Sequence, residues 1–211
     1  MRYALPIILF LALATLIVTA PRIGPWRARR QAHALARDLV QTEGFTASPD
    51  IEHEIAAEHA PPFHYGTAHN FEDDLIGTVR DMPVSTGSYT CHYNGETRRY
   101  GVALVSLDHD VERVEVRDGP AFATAWVIDA PPQHRIRTGT PAFDERFETY
   151  TPDRTDDRMV LAPDAPALLT GVAEPFSMRA EGRRLLLWRS PGWSSPEALE
   201  EDVTTAVAVL A

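Results

Sequence analysis

Across 211 residues there is one cysteine, Cys91, and no lysine at all. A lone thiol excludes an intrachain disulfide, and with it a small disulfide-stapled secreted scaffold. A free thiol also suits a reducing compartment better than an oxidising one. All 20 basic residues are Arg, which a GC-rich coding sequence explains without any functional reading. Chemical motifs are equally scarce. There is no G-x-S-x-G, P-loop or dinucleotide glycine pattern, and Gly87-Ser88 lacks the flanks of a nucleophile elbow. No tandem repeat is present.

What is present divides the chain in two: an anchor with its basic flank over 1–30, and a single domain over 31–211. Residues 1–30 carry five Arg and no acid, which leaves fifteen Arg against 30 acidic residues in 31–211, a formal charge of −15. Such a body repels phosphate backbones, so nucleic acid is not an expected partner. Hydrophobic residues make up 44% of the chain and charged residues 24%, proportions that a packed core requires and a disordered chain lacks.

From Tyr3 to Ala20 the chain carries no charge. At 1.5 Å per residue this stretch spans roughly 27 Å, close to the hydrocarbon thickness of a bilayer. The expected partner of residues 3–20 is therefore the lipid bilayer. Arg22, Arg27, Arg29 and Arg30 follow it, against Arg2 before it. The positive-inside rule then sets the domain on the cytoplasmic side of a plasma membrane, single-pass. The competing reading is secretion after signal cleavage near Ala20, since Val18-Thr19-Ala20 offers small residues. Pro21 just past the cut, and an apolar run longer than a usual signal core, favour the anchor.

Pro21, Gly24 and Pro25 break the anchor, and Gln31 to Glu43 reads as an amphipathic helix. Its apolar face comprises Ala32, Leu35, Ala36, Leu39 and Val40, with Gly44 as the stop. Residues 48–75 read as polar and irregular apart from a short helix over 50–59. Asn94-Gly95 between strand-like runs signals a hairpin, in which Tyr93 opposes Glu96, Cys91 opposes Arg98 and Tyr89 opposes Tyr100. Val111 to Val116, Arg135 to Arg137 and Phe147 to Thr151 read as strands, and Asp108-His109-Asp110 as a turn. Phe122 to Ile128 fits helix or strand, Thr155 to Thr170 reads as helix either side of Pro163, and Glu181-Gly182 as a second hairpin turn. Ser195 and Pro196 open a last helix whose stripe is Leu199, Val203, Ala206, Val207 and Leu210. The expected fold class is α+β, mainly an antiparallel sheet of hairpins with packed helices, preceded by one transmembrane helix.

Leu35-Ala36 leading to Gly44-Phe45, Arg99 to Leu104, Phe143 to Glu148, Leu161-Ala162-Pro163 and Arg184 to Trp188 together resemble a family of bacterial membrane-associated proteins without an assigned activity. The resemblance implies the domain order and no reaction. The 46–75 segment departs from it.

Each candidate site has a plainer alternative. His53, Glu54, Glu58, His59, His64, His69, Glu72, Asp73 and Asp74 suggest a metal site or a hydrolase built on segment 53–74. However, His53 and His59 lie about 240° apart on a helix, unlike the i, i+4 pair of a zincin. Cys91 and His92 face opposite sides of a strand and cannot pair. Asp73-Asp74, Asp156-Asp157 and Glu200-Glu201 fall where solvation or a helix start explains them. Trp126 and Trp188 read as core and Trp193 as surface. No catalytic, cofactor-binding or metal residue is assigned, and the leading expectation is a non-catalytic domain that binds a protein or small ligand at the membrane surface.

Overall fold

The computed structural model describes residues 26–48, 51–56, 63, 67–93, 95–119, 134–152 and 161–210. The expected bilayer segment, Asn94, Trp126 with the 122–128 run, and 155–160 lie outside them. Among the described residues no helix is long and apolar enough to cross a membrane. Helix α1 covers 26–42 and begins five residues before the expected start. β1 is Thr46–Ala47, α2 Ile51–Ala56, β2 Thr67–Val79, β3 Met82–Tyr93 and β4 Glu96–Asp118. β5 (His134–Ile136), α3 (Pro141–Arg146), β6 (Phe147–Thr151), α4 (Ala165–Gly171), β7 (Ser177–Arg189) and α5 (Pro196–Ala208) complete the order.

The seven strands among the described residues form one antiparallel sheet in the order β1-β2-β3-β4-β6-β5, with β7 on the other edge of β4. The α+β expectation therefore holds. The β3–β4 register matches the two-residue-turn prediction, with Tyr93 facing Glu96, Cys91 facing Arg98 and Tyr89 facing Tyr100. Because side chains alternate along a strand, that register sends Ala103, Val105 and Leu107 into the main core and Tyr89, Cys91, Tyr100 and Val102 into a second cluster on the opposite face.

The main core lies on the helical side. Leu39 of α1 and Leu199, Val203 and Ala206 of α5 pack there with Phe143, Phe147 and Leu187. Gly44, with φ +71°, stops α1, and past it the Phe45 amide reaches back to the Leu39 carbonyl at 3.2 Å. Leu35 and Ala36 pack on the core as expected, but Val40 is exposed, because it lies about 100° round the helix from Leu39.

Four further expectations are corrected. The stretch from Thr67 to Leu75 is strand, not irregular chain; its slips in register against β3 erase the period of two that marks strands in sequence. Asp108-His109-Asp110 is not a turn, because β4 runs through it, with register shifts against β7 between Ser106 and Val114. Glu181-Gly182 is not a hairpin either, since β7 is one continuous strand along β4. A type I′ turn requires two left-handed residues, and only Gly182 has positive φ there (59°), so the pair produces a bend in place of a reversal. Trp193, expected at the surface, is buried against the backbone of Gly101, where a Cβ would lie 2.5 Å from its ring.

Candidate functional site

The acidic run of β2 meets α1. Between Glu72 and Leu75 the strand slips register, and Asp73 takes φ +60°, a left-handed conformation that Asp tolerates better than most residues. The bulge turns consecutive acids toward the helix. Arg29 donates to Glu72 Oε1 at 2.9 Å, and His33 Nδ1 lies 2.9 Å from Asp73 Oδ1. Arg29 and His33 are four residues apart and so share a helical face. From beneath, Arg99 reaches Glu72 Oε2 at 3.3 and 3.4 Å and donates to Ser88 Oγ at 2.6 Å. Glu72 thus sits between two guanidiniums. The exposed Arg29 contact adds under about 1 kcal/mol, whereas Arg99 is mostly buried and screened less by salt. At the far end of α1, Trp26 is 57% exposed, with the Arg30 guanidinium 4.5 Å above its ring. Asp73-Asp74 is therefore part of a helix clamp on a strand, not a solvated loop.

The His and Cys candidates occupy the opposite face. Cys91 is buried beside Tyr89, and burial pushes its thiol up despite the Tyr89 hydroxyl and Arg98. Tyr89 is pushed up as well, first by burial and then by Cys91. His69 Nδ1 lies 2.5 Å from the Tyr89 hydroxyl, and Phe63 and Phe71 pack on that ring at 5.0 and 4.8 Å. A nucleophilic cysteine needs its thiolate, and this environment opposes ionisation. His69 orients a phenol. His92 is exposed and can reach Thr97 at 3.5 Å, while His53 is exposed on α2. Glu58, His59 and His64 lie outside the described residues. Among the described residues no three His, Cys, Asp or Glu side chains are grouped to hold a metal ion. Asp108 and His109 form an exposed pair at 2.6 Å, and the imidazole holds the Asp108 carboxyl below its ordinary value.

No protein-family model, curated protein or solved structure matches the chain.

Two polar assemblies escaped the sequence reading. Asp202 of α5 is buried, accepting from Trp193 Nε1 at 2.8 Å and from Arg189 Nη1 at 2.9 Å. Glu174 meets the other side of Arg189 from solvent. Burial raises the Asp202 carboxyl, and Trp193 and Arg189 oppose that shift. Asp202 lies three residues after Leu199, so its place on the buried stripe was available from helical spacing. Beside it a cleft of about 260 Å³ is lined by Tyr100, Asp118, Ser177, Trp188 and Arg189. Burial raises Asp118 against the pull of Arg146, and Tyr100 is pushed up to about 12 by burial and by Cys91, so this phenol stays a donor.

On the sheet face away from α1, β4, β6 and β7 carry a run of charge. Arg117 donates to Glu115 and stacks 4.4 Å over Tyr150, whose hydroxyl donates to Glu148 at 2.8 Å. Arg135 closes on Glu148 at 2.9 Å. Alternation within Val114-Glu115-Val116 showed which residues leave the core. The partners of Glu115 and Arg117 come from distant strands, and nothing local encodes them.

Proposed function

We propose that this chain is a membrane-tethered, non-catalytic binding domain, held by residues 3–20 at the cytoplasmic face of a bilayer. The observation that carries the reading is the clamp on α1. The helix that follows the apolar segment and its basic flank is fastened to the sheet through Arg29, Glu72, Arg99, His33 and Asp73. A tether entering at the Trp26 end would thereby set the orientation of the whole domain instead of trailing it on a loose linker. Trp26 and Arg30 at that end have the aromatic and cationic character favoured at a membrane interface. The raised thiol of Cys91 supports binding over a cysteine-based hydrolase.

The test uses the full chain expressed in bacterial cells. It is expected to stay with membranes through alkaline carbonate extraction, and protease added to intact cells is expected to leave 31–211 uncut. Glu72→Gln combined with Asp73→Asn should speed amide exchange across 26–42 while leaving membrane retention unchanged. Digestion of 31–211 from outside, or recovery of a soluble chain starting near Pro21, overturns the tether.

A further inference from the structure

Helix α1 carries different chemistry on its two sides. At about 100° per residue, Arg30 lies about 180° round the helix from Leu39, which is buried in the main core. Arg37 and Gln41 fall within about 20° of Arg30, Trp26 within about 40° and Arg27 within about 60°. All five side chains are on exposed residues. Asp38, the one acid of 26–42, lies about 80° away. The outward face of α1 is therefore a row roughly 22 Å long that bears three guanidiniums and an indole. It sits on a body whose formal charge is strongly negative.

The remaining cations of the helix are engaged. Arg29 pairs with Glu72 and His33 with Asp73, on the flank where α1 meets β2. Arg27, Arg30 and Arg37 make no ion pair among the described residues. Arg30 lies over the Trp26 ring, and Arg37 donates to the His33 carbonyl at 3.3 Å. Both of those partners are neutral, so the positive charge of the row is not cancelled within the fold. The clamp to β2 also fixes which way the row points, because it holds the opposite side of the helix against the sheet.

We propose that this face of α1 docks on anionic lipid headgroups, so that the helix lies along the membrane plane with Arg27, Arg30 and Arg37 at the phosphates and Trp26 at the interface. Charge selects that occupant. An anionic surface repels the acidic body and attracts the basic row, which orients the domain as well as holding it. Position agrees, since α1 follows the apolar segment 3–20 after the break at Pro21, Gly24 and Pro25. An interfacial helix usually sinks an apolar face into the lipid. Here the core already takes the apolar face, so the contact is electrostatic and sensitive to salt. The inference rests on the tether proposed above and adds the lipid class that the domain reads.

The test places the full chain in lipid nanodiscs of phosphatidylcholine, with or without phosphatidylserine. A nitroxide on Gln41→Cys is read by its collisions with a neutral nickel chelate in the water. Cys91 is buried and burial pushes its thiol up, so at neutral pH the label takes the introduced thiol. With phosphatidylserine the nitroxide is expected to be shielded, and the shielding to vanish in high salt or in phosphatidylcholine alone. A label on Asp108→Cys, an exposed site on β4, should stay open in both lipids. Arg37→Gln should lower the ratio of shielded to open label about fivefold, and Arg30→Gln with Arg37→Gln about twenty-five-fold, the factor per cation that an anionic surface supplies. Arg37→Lys should keep the shielding, because the surface reads charge. These residues are exposed, so the variants leave the core intact. Equal shielding in the two lipids, or shielding that survives the double substitution, overturns the docking. A label open in both lipids overturns it too, and leaves the row to an acidic protein partner while the tether stands. A chain that leaves the discs altogether overturns tether and docking together.

Discussion

Asp202 shows how one side chain can couple a helix, a strand and a loop. It receives the Trp193 indole and the Arg189 guanidinium at once, and Trp193 in turn packs against Gly101 because no Cβ intervenes. Burial is the largest influence on its carboxyl and raises it above the ordinary 3.8. A raised acid contributes stability that is complete below the unfolded value and lost as pH rises through the folded one. In Asp202→Asn the side chain stays neutral and can still accept from Trp193. The variant should therefore match the wild type near pH 3.8 and gain on it as pH rises toward neutrality. Urea unfolding at a series of pH values measures the difference directly. A difference that moves the other way would mean that Arg189 and Trp193 outweigh burial.

At the scale of elements, the turns separate what was legible from what was not. Asn94-Gly95 marked its hairpin, and the observed register is the one a two-residue loop imposes. The β2–β3 hairpin went unread because Arg80-Asp81 occupies its turn, both residues at positive φ (47° and 66°); Asp tolerates that backbone, but Arg is not a preferred type there and no glycine marks the reversal. Arg80 reaches Glu200 at 2.7 Å, but both side chains are exposed and the contact adds little. Replacing the pair by Asn-Gly should therefore stabilise the protein by about 1 kcal/mol, since left-handed backbone costs an L-residue roughly that much. Chemical denaturation with an unchanged m-value would show it. α5 was legible at its start because Ser195 and Pro196 act locally, and the Ser195 hydroxyl does accept from the Ala198 amide at 3.3 Å. The helix clamp was not legible. Its acids and bases are some 40 residues apart in sequence, and the bulge that aims Asp73 at His33 leaves no local period.

Across the whole molecule, β4 is the spine. Its 23 residues pair with β3 and β6 along one edge and with β7 along the other. The β7 edge extends from Gly101 to Val116, and its partners are Arg189 to Met178, the last strand of the chain. A chain ending before Ser177 would expose that edge together with the apolar residues Val102, Leu104, Val114 and Val116. Such a truncation is expected to sediment as aggregate instead of yielding a smaller folded unit, and analytical centrifugation would reveal the difference. The same geometry governs biosynthesis. As the chain leaves the ribosome, β2, β3 and β4 can zip together early. The open side of the spine must then wait through roughly 60 residues of translation, several seconds at ordinary elongation rates, before its mate emerges. Closing so distant a pairing is entropically slow, so folding should be limited by this late step. During that wait the apolar residues Val102, Leu104, Val114 and Val116 along the open edge stay uncovered on the nascent chain.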